Sequence, residues 1–178
     1  MFATSSQRFT VAVTLAVLLA IASGITAHAL NRGDGQRDLA QIRGAVARYH
    51  ETGAAEAAGW ILVDGLDHCF ENPGVGGMGI HYINPDLLDT TLDPKSPEAL
   101  VYHHLPNGKL QLGAVEYIVP AQAWHDEHGD SSDPPELLGH HLHMNEALGV
   151  YVLHAWIFTH NPAGMFEDWN PRISCPAE

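Results

Sequence analysis

Positive charge is scarce in this chain. Eight lysines and arginines stand against 21 aspartates and glutamates, a formal net charge of −13 at pH 7. Nucleic acids and anionic membrane surfaces attract basic patches, so neither is an expected partner. Cysteine is scarcer still, with Cys69 and Cys175 alone. They form no C-x-x-C pair, which removes the commonest thiolate metal and redox motifs. No G-x-G-x-x-G lies between a strand and a helix, so no nucleotide cofactor is expected. No G-x-S-x-G elbow, H-E-x-x-H helix or calcium-hand spacing occurs either. What the chain does have is histidine, 13 of them, beside its acidic charge.

The first 29 residues read as an export signal. Arg8 is the one charged side chain before an uncharged run from Thr10 to Ile25. Ala27-His28-Ala29 then places small residues at positions −3 and −1 of a cleavage site. The alternative is an uncleaved anchor, since the run is near the lower limit for crossing a bilayer. Cleavage would leave no stable membrane insertion and a periplasmic or extracellular protein. Residues 30–37 read as a flexible lead-in and 38–178 as a single globular domain, long enough for one core. In an oxidising compartment Cys69 and Cys175 are expected to pair, because two cysteines allow only one connectivity. Closing so long a loop is worth about 4–5 kcal/mol in the chain-entropy model.

Periodicity predicts an α+β fold, with one long N-terminal helix packed on a small antiparallel sheet and long ordered loops. Leu39, Ile42, Val46 and Tyr49 recur at helical spacing, predicting a helix over 38–58 with Asp38 as its N-cap. Trp60–Val63 is a short apolar run of strand type. Residues 64–98 read as loop, broken by Asn72-Pro73-Gly74 and Gly76-Gly77-Met78-Gly79. Asn107-Gly108 between 99–105 and 109–119 predicts a hairpin. In that register Leu105 faces Leu110, His103 faces Leu112 and Val101 faces Ala114. One face then carries Val101, His103, Leu105, Leu110, Leu112, Ala114, Glu116 and Ile118, and is the expected core face. Residues 120–148 read as a second polar loop. Val150–His160 reads as a third strand, with Val150, Val152, His154, Trp156 and Phe158 on one face.

Chemistry is expected where polar groups interrupt apolar faces. Glu116 lies between Ala114 and Ile118, and His154 between Val152 and Trp156. A buried carboxylate is costly unless paired, hydrogen-bonded or bound to a metal. Two such groups on two strands are expected to meet, either as a structural pair or as metal ligands. His81 follows a glycine-rich stretch that lets backbones approach closely. His140-His141-Leu142-His143 is the densest cluster. His141 and His143 would share a face on a strand, His140 and His143 on a helix. Imidazole suits zinc, copper and iron, and Met144 would favour copper. His103 is roughly 13 Å along the strand from Glu116 and is not expected to share its metal. His104, His125, His128 and His160 read as solvated.

Several short motifs also recur together. They are Gly77-Met78-Gly79-Ile80-His81-Tyr82-Ile83-Asn84-Pro85, Pro97-Glu98-Ala99-Leu100-Val101-Tyr102 and Val115-Glu116-Tyr117. Leu153-His154-Ala155-Trp156, Asn161-Pro162-Ala163-Gly164-Met165-Phe166, Trp169-Asn170-Pro171 and Ser174-Cys175 follow. Across residues 40–176 the chain resembles a family of exported bacterial proteins of unknown function. The resemblance implies no activity, but its motifs contain His81, Glu116 and His154.

The leading expectation is a divalent transition-metal site of His81, Glu116 and His154, with His143 or His141 as fourth ligand and zinc, copper or iron as the ion. It would serve a small metalloenzyme or a metal-handling protein. A non-enzymatic cell-envelope or small-ligand binding protein, with Glu116–His154 purely structural, is the second. Metal-free acid–base chemistry, with Glu116 as base and His154 as acid, is the third.

Overall fold

The structure is a computed structural model that describes residues 35–176. The expected signal segment and most of the lead-in lie outside the described residues. The chain divides into two compact units, 1–38 and 39–178. Of the first, the described residues 35–38 are helical, so Asp38 lies within helical residues rather than capping them. No described helix is long and apolar enough to cross a membrane.

The second unit begins with helix α1, residues 39–46, continued by a 3-10 turn at Ala47–His50. Glu51 is extended, and helix α2 follows at Thr52–Glu56. The single long helix expected over 38–58 is therefore broken. One cause is tertiary: the Tyr49 carbonyl accepts the hydroxyl of Tyr102, distant in sequence, at 2.5 Å. The apolar stripe is nonetheless buried, with Ile42 and Val46 fully inaccessible.

The strands are β1 (Ile61–Leu62), β2 (Phe70–Asn72), β3 (Gly76–Ile83), β4 (Ala99–His104) and β5 (Leu110–Pro120). Helix α3 (Ala121–His128) precedes β6 (Glu136–Leu137), β7 (His140–His141), β8 (His143–Asn145) and β9 (Val150–Ala155). One antiparallel sheet runs β1-β3-β4-β5-β9-β8, with β2 added to β3, and β6 pairs with β7 separately. Two expected loops thus contain regular structure. β3 forms despite its glycines because they admit close neighbours. Gly79 has φ +107°, and a Cβ there would sit 2.2 Å from the Tyr102 carbonyl oxygen. Helix α3 buries only Ala121, so it leaves no apolar stripe to read.

The hairpin forms around Asn107-Gly108, but its register differs from the expected one. Val101 does face Ala114, whereas Tyr102, not His103, faces Leu112. Gly113 is the extra residue of a bulge, and its carbonyl accepts from Phe158 and Thr159 N–H. The bulge splits the expected core face. Leu112, Val115, Tyr117 and Val119 join α1, Leu100 and Tyr102 in the main core. Ala114, Glu116 and Ile118 face the other way, with Ala99 and Val101. The sheet is therefore buried on both faces. β9 ends at Ala155, so Phe158 packs on the main core rather than beside His154.

Candidate metal centre

The second face of the sheet holds the chemistry. Glu116 on β5 pairs directly with His154 on β9. His81 comes from β3, two strands from β5, and reaches across β4. The β4 residue opposite Glu116 is Ala99. Strands lie about 4.8 Å apart, so β3 and β5 are about 10 Å apart, and only a small residue between them leaves room for the two side chains to meet. Glu116 Oε2 lies 3.5 Å from His81 Nε2, and Oε1 lies 3.3 Å from His154 Nδ1. Ligand-type atoms of the three residues all fall within 4.8 Å of one another. This buried group could hold a metal ion. Exposure is 7% for His81, 8% for Glu116 and 0% for His154, so all three are buried.

Asp168 is the fourth member and was absent from the sequence reading. Its Oδ1 lies 3.6 Å from His154 Nδ1, and its Oδ2 lies 3.0 Å from His143 Nε2. The backbone on both sides of it is anchored. The Glu167 carbonyl accepts from Trp156 Nε1 at 2.7 Å and from Asn161 Nδ2 at 3.2 Å. The Trp169 carbonyl accepts from Asn161 Nδ2 at 3.1 Å. The next residue, Asn170, forms a bridge to Gly77 on β3. The disulfide Cys69–Cys175 then ties the tail down just before β2, closing a sequence separation of 106. Asp168 stood between two motifs, and its one signal was the acidic pair Glu167-Asp168 between Phe166 and Trp169.

The structure brings His81, Glu116 and His154 together and joins His143 to them only through Asp168. His143 is half exposed on β8. His141 is exposed on the separate β6–β7 pair, where its Nδ1 contacts the Pro134 carbonyl at 3.3 Å. His140 packs its ring on Phe166 at 4.0 Å. Met144 is exposed and alternates with His143 along β8, so it points away from the group. His103, over the bulge, contacts Thr159 Oγ1 at 2.9 Å through its Nε2.

Four buried polar atoms of the group have no hydrogen-bond partner: His81 Nδ1, His154 Nδ1 and Nε2, and Asp168 Oδ1. Burial pulls His81 down to about 3, helped by the neighbouring His154, so it is a neutral imidazole at pH 7. Burial raises Glu116 despite the opposing pull of His154. Burial lowers His154, but Glu116 and Asp168 outweigh it and hold its pKa above the ordinary value. Asp168 is raised by burial, yet His143 and His154 prevail and hold it well below the usual carboxylate range. His143 is raised chiefly by its hydrogen bond to Asp168.

These residues border a cavity of about 390 Å³. Leu66, Ile83, Ile118, Val150 and Val152 form much of its wall, while His81, Glu116, His143 and Asp168 also line it. Leu88 and Leu148 line it too and are themselves exposed, so they mark its mouth. A second buried carboxylate, Glu98, was also missed by the sequence reading. It is 1% exposed and its Oε2 accepts from the Ile118 N–H at 3.0 Å. Burial pushes it up to about 8. No family model, curated protein or solved structure matches this chain.

Proposed function

We propose that this is an exported protein that binds one divalent transition metal on His81, Glu116 and His154, with the open side of the metal turned toward the apolar cavity. The carrying observation is three converging ligand atoms in a buried site whose two imidazoles have three nitrogens without partners. An unsatisfied buried polar group costs about 1–3 kcal/mol. A metal would engage one nitrogen of each ring and offset the repulsion among the buried groups. Two histidines and one carboxylate with an open position suit zinc or iron. The disulfide supports an oxidising compartment, and with it the expected export.

When bound, such an ion supplies Lewis acidity to an oxygen donor or to water. The remaining chemistry belongs to the chain. Glu116 balances half of the ion's charge. Asp168 adds negative charge beside His154, its Oδ1 3.6 Å from the same Nδ1 that faces Glu116. His143, paired to Asp168 and half exposed, can pass a proton between the cavity and solvent. These features favour a small metalloenzyme over a closed storage site. The apolar wall favours the second reading, a small-ligand binding protein whose Glu116–His154 pair is structural.

The test is metal content by elemental mass spectrometry on untagged protein from the periplasm. Wild type, Glu116→Gln and His154→Ala are compared, with folding checked by circular dichroism. About one transition metal per chain is expected in wild type and none in the folded variants. A wild type that carries no metal, and takes up none from zinc, copper or iron solutions, would remove the metal reading and leave the structural pair.

A further inference from the structure

The cavity carries information about its ligand that the metal reading does not use. It has one polar end. His81, Glu116, Asp168 and His143 gather there, while the rest of the wall is apolar, mostly aliphatic with Phe70, Met78 and Trp169, has Asn145 as its one other polar side chain, and continues to the exposed Leu88 and Leu148. Among the described residues that line it there is no lysine or arginine. A ligand with several separated charges would therefore leave some of them unmatched in an apolar wall, which is costly. Its volume of about 390 Å³ lies at the lower end of small-molecule sites, roughly 300–1,000 Å³.

Charge narrows the head group. Glu116 is the one carboxylate of the three-residue ligand set, and Asp168 is already engaged by His143 at 3.0 Å. A divalent ion facing one carboxylate retains one positive charge. A single anionic oxygen donor neutralises it, and a second anion on the same ligand would face Glu116 and the unpartnered Asp168 Oδ1 with no lysine or arginine among the lining residues.

We infer that the cavity takes an apolar monocarboxylate, an alkyl or aryl chain lying against Leu66, Ile118 and Val152 with its carboxylate on the metal site. The head-group half of this inference rests on the metal reading, and the chain half rests on the wall alone.

Calorimetry on the full chain loaded with zinc tests it, using acetate, hexanoate, decanoate, 3-phenylpropanoate and citrate as probes. Affinity should rise about fourfold for each methylene until the cavity is full. Citrate should bind more weakly than hexanoate. The comparison of hexanoate with 3-phenylpropanoate tells an alkyl from an aryl ligand. Val150→Trp, which fills the wall, should lose decanoate but keep acetate and zinc. Leu148→Glu at the exposed mouth does the same job with no burden on the core.

Equal affinity for acetate and decanoate would overturn the inference. So would citrate binding as tightly as decanoate, or wild-type decanoate affinity in both variants. The two readings fail separately. Zinc uptake with no chain-length gradient sinks the ligand class and spares the metal. A gradient in a chain that takes up no zinc sinks the metal and spares the ligand class.

Discussion

The two faces of the main sheet are both buried, yet they are built to different ends. One face packs Leu100, Tyr102, Leu112, Val115, Tyr117 and Val119 on the helical segment, and the Tyr102 and Tyr117 hydroxyls and Trp60 Nε1 there each donate to a backbone carbonyl. The other face carries two small apolar clusters, around Ile118 and around Trp156, with His81, Glu116 and His154 also on it. Its polar atoms include four without partners. Stability is concentrated on the first face, and the second holds groups whose burial opposes folding unless something binds them. Separating the two lets a strained site exist in a small domain, because the strands that carry it are held from behind.

The largest expected effect is on the first face. Leu112→Ala should cost about 2–5 kcal/mol in urea unfolding, while the folded variant still binds one metal per chain. Loss of metal at a temperature where the variant is folded would show that the two faces are not separable.

Next comes Glu98, the buried carboxylate just before β4 that accepts from the Ile118 N–H. Its folded pKa of about 8 lies above the reference 4.5. The protonated form is favoured by the fold, so the stability it contributes is full below pH 4.5 and is lost as pH rises through about 8. Glu98→Gln keeps an acceptor for Ile118 N–H and removes the titration. It should be more stable than wild type at pH 9, by on the order of 2 kcal/mol, with little difference at pH 4. Parallel stability curves from pH 4 to 9 would mean that Glu98 is ionised at no such cost.

A smaller effect is expected at Asp168. Asp168→Asn should weaken zinc binding about 10- to 100-fold, as loss of a charged outer partner beside the ligands does. It should also shift the acid limb of zinc binding to lower pH. Asp168 helps raise the His154 pKa, and the proton on His154 competes with the metal. An unchanged limb with weakened binding would make Asp168 a direct ligand rather than a charge beside the ligands. The smallest effect is at His141. His141→Ala should leave both zinc affinity and stability within about 0.5 kcal/mol of wild type.

The parts that could be read in advance were those with local signals. Asn107-Gly108 marked the hairpin, and a lone pair of cysteines marked the disulfide. Glu116 and His154 stood out because alternation along each strand put a polar group where its neighbours were apolar. Three features left no such signal. The Gly113 bulge is one residue in an otherwise regular run, and it moved Leu110 and Leu112 away from the face of Glu116. Helix α3 buries a single alanine, so its period was invisible. Asp168 is held by hydrogen bonds to its neighbours' carbonyls, and these depend on Trp156 and Asn161 folding back on it. The histidine cluster at 140–143 illustrates the opposite error, since local density drew notice that spatial position does not support for His141.

The bulge at Gly113 has a consequence for how this protein can change over generations. β5 is written in two phases, and the glycine is the joint between them. Removing that one codon would force a choice: either Leu110 and Leu112 leave the main core, or Ala114, Glu116 and Ile118 leave the site face. A lineage could tolerate many substitutions along this strand and still keep the centre, but it could not shorten the strand by one residue without losing one face or the other. The centre depends on a count of residues as much as on the identity of any of them.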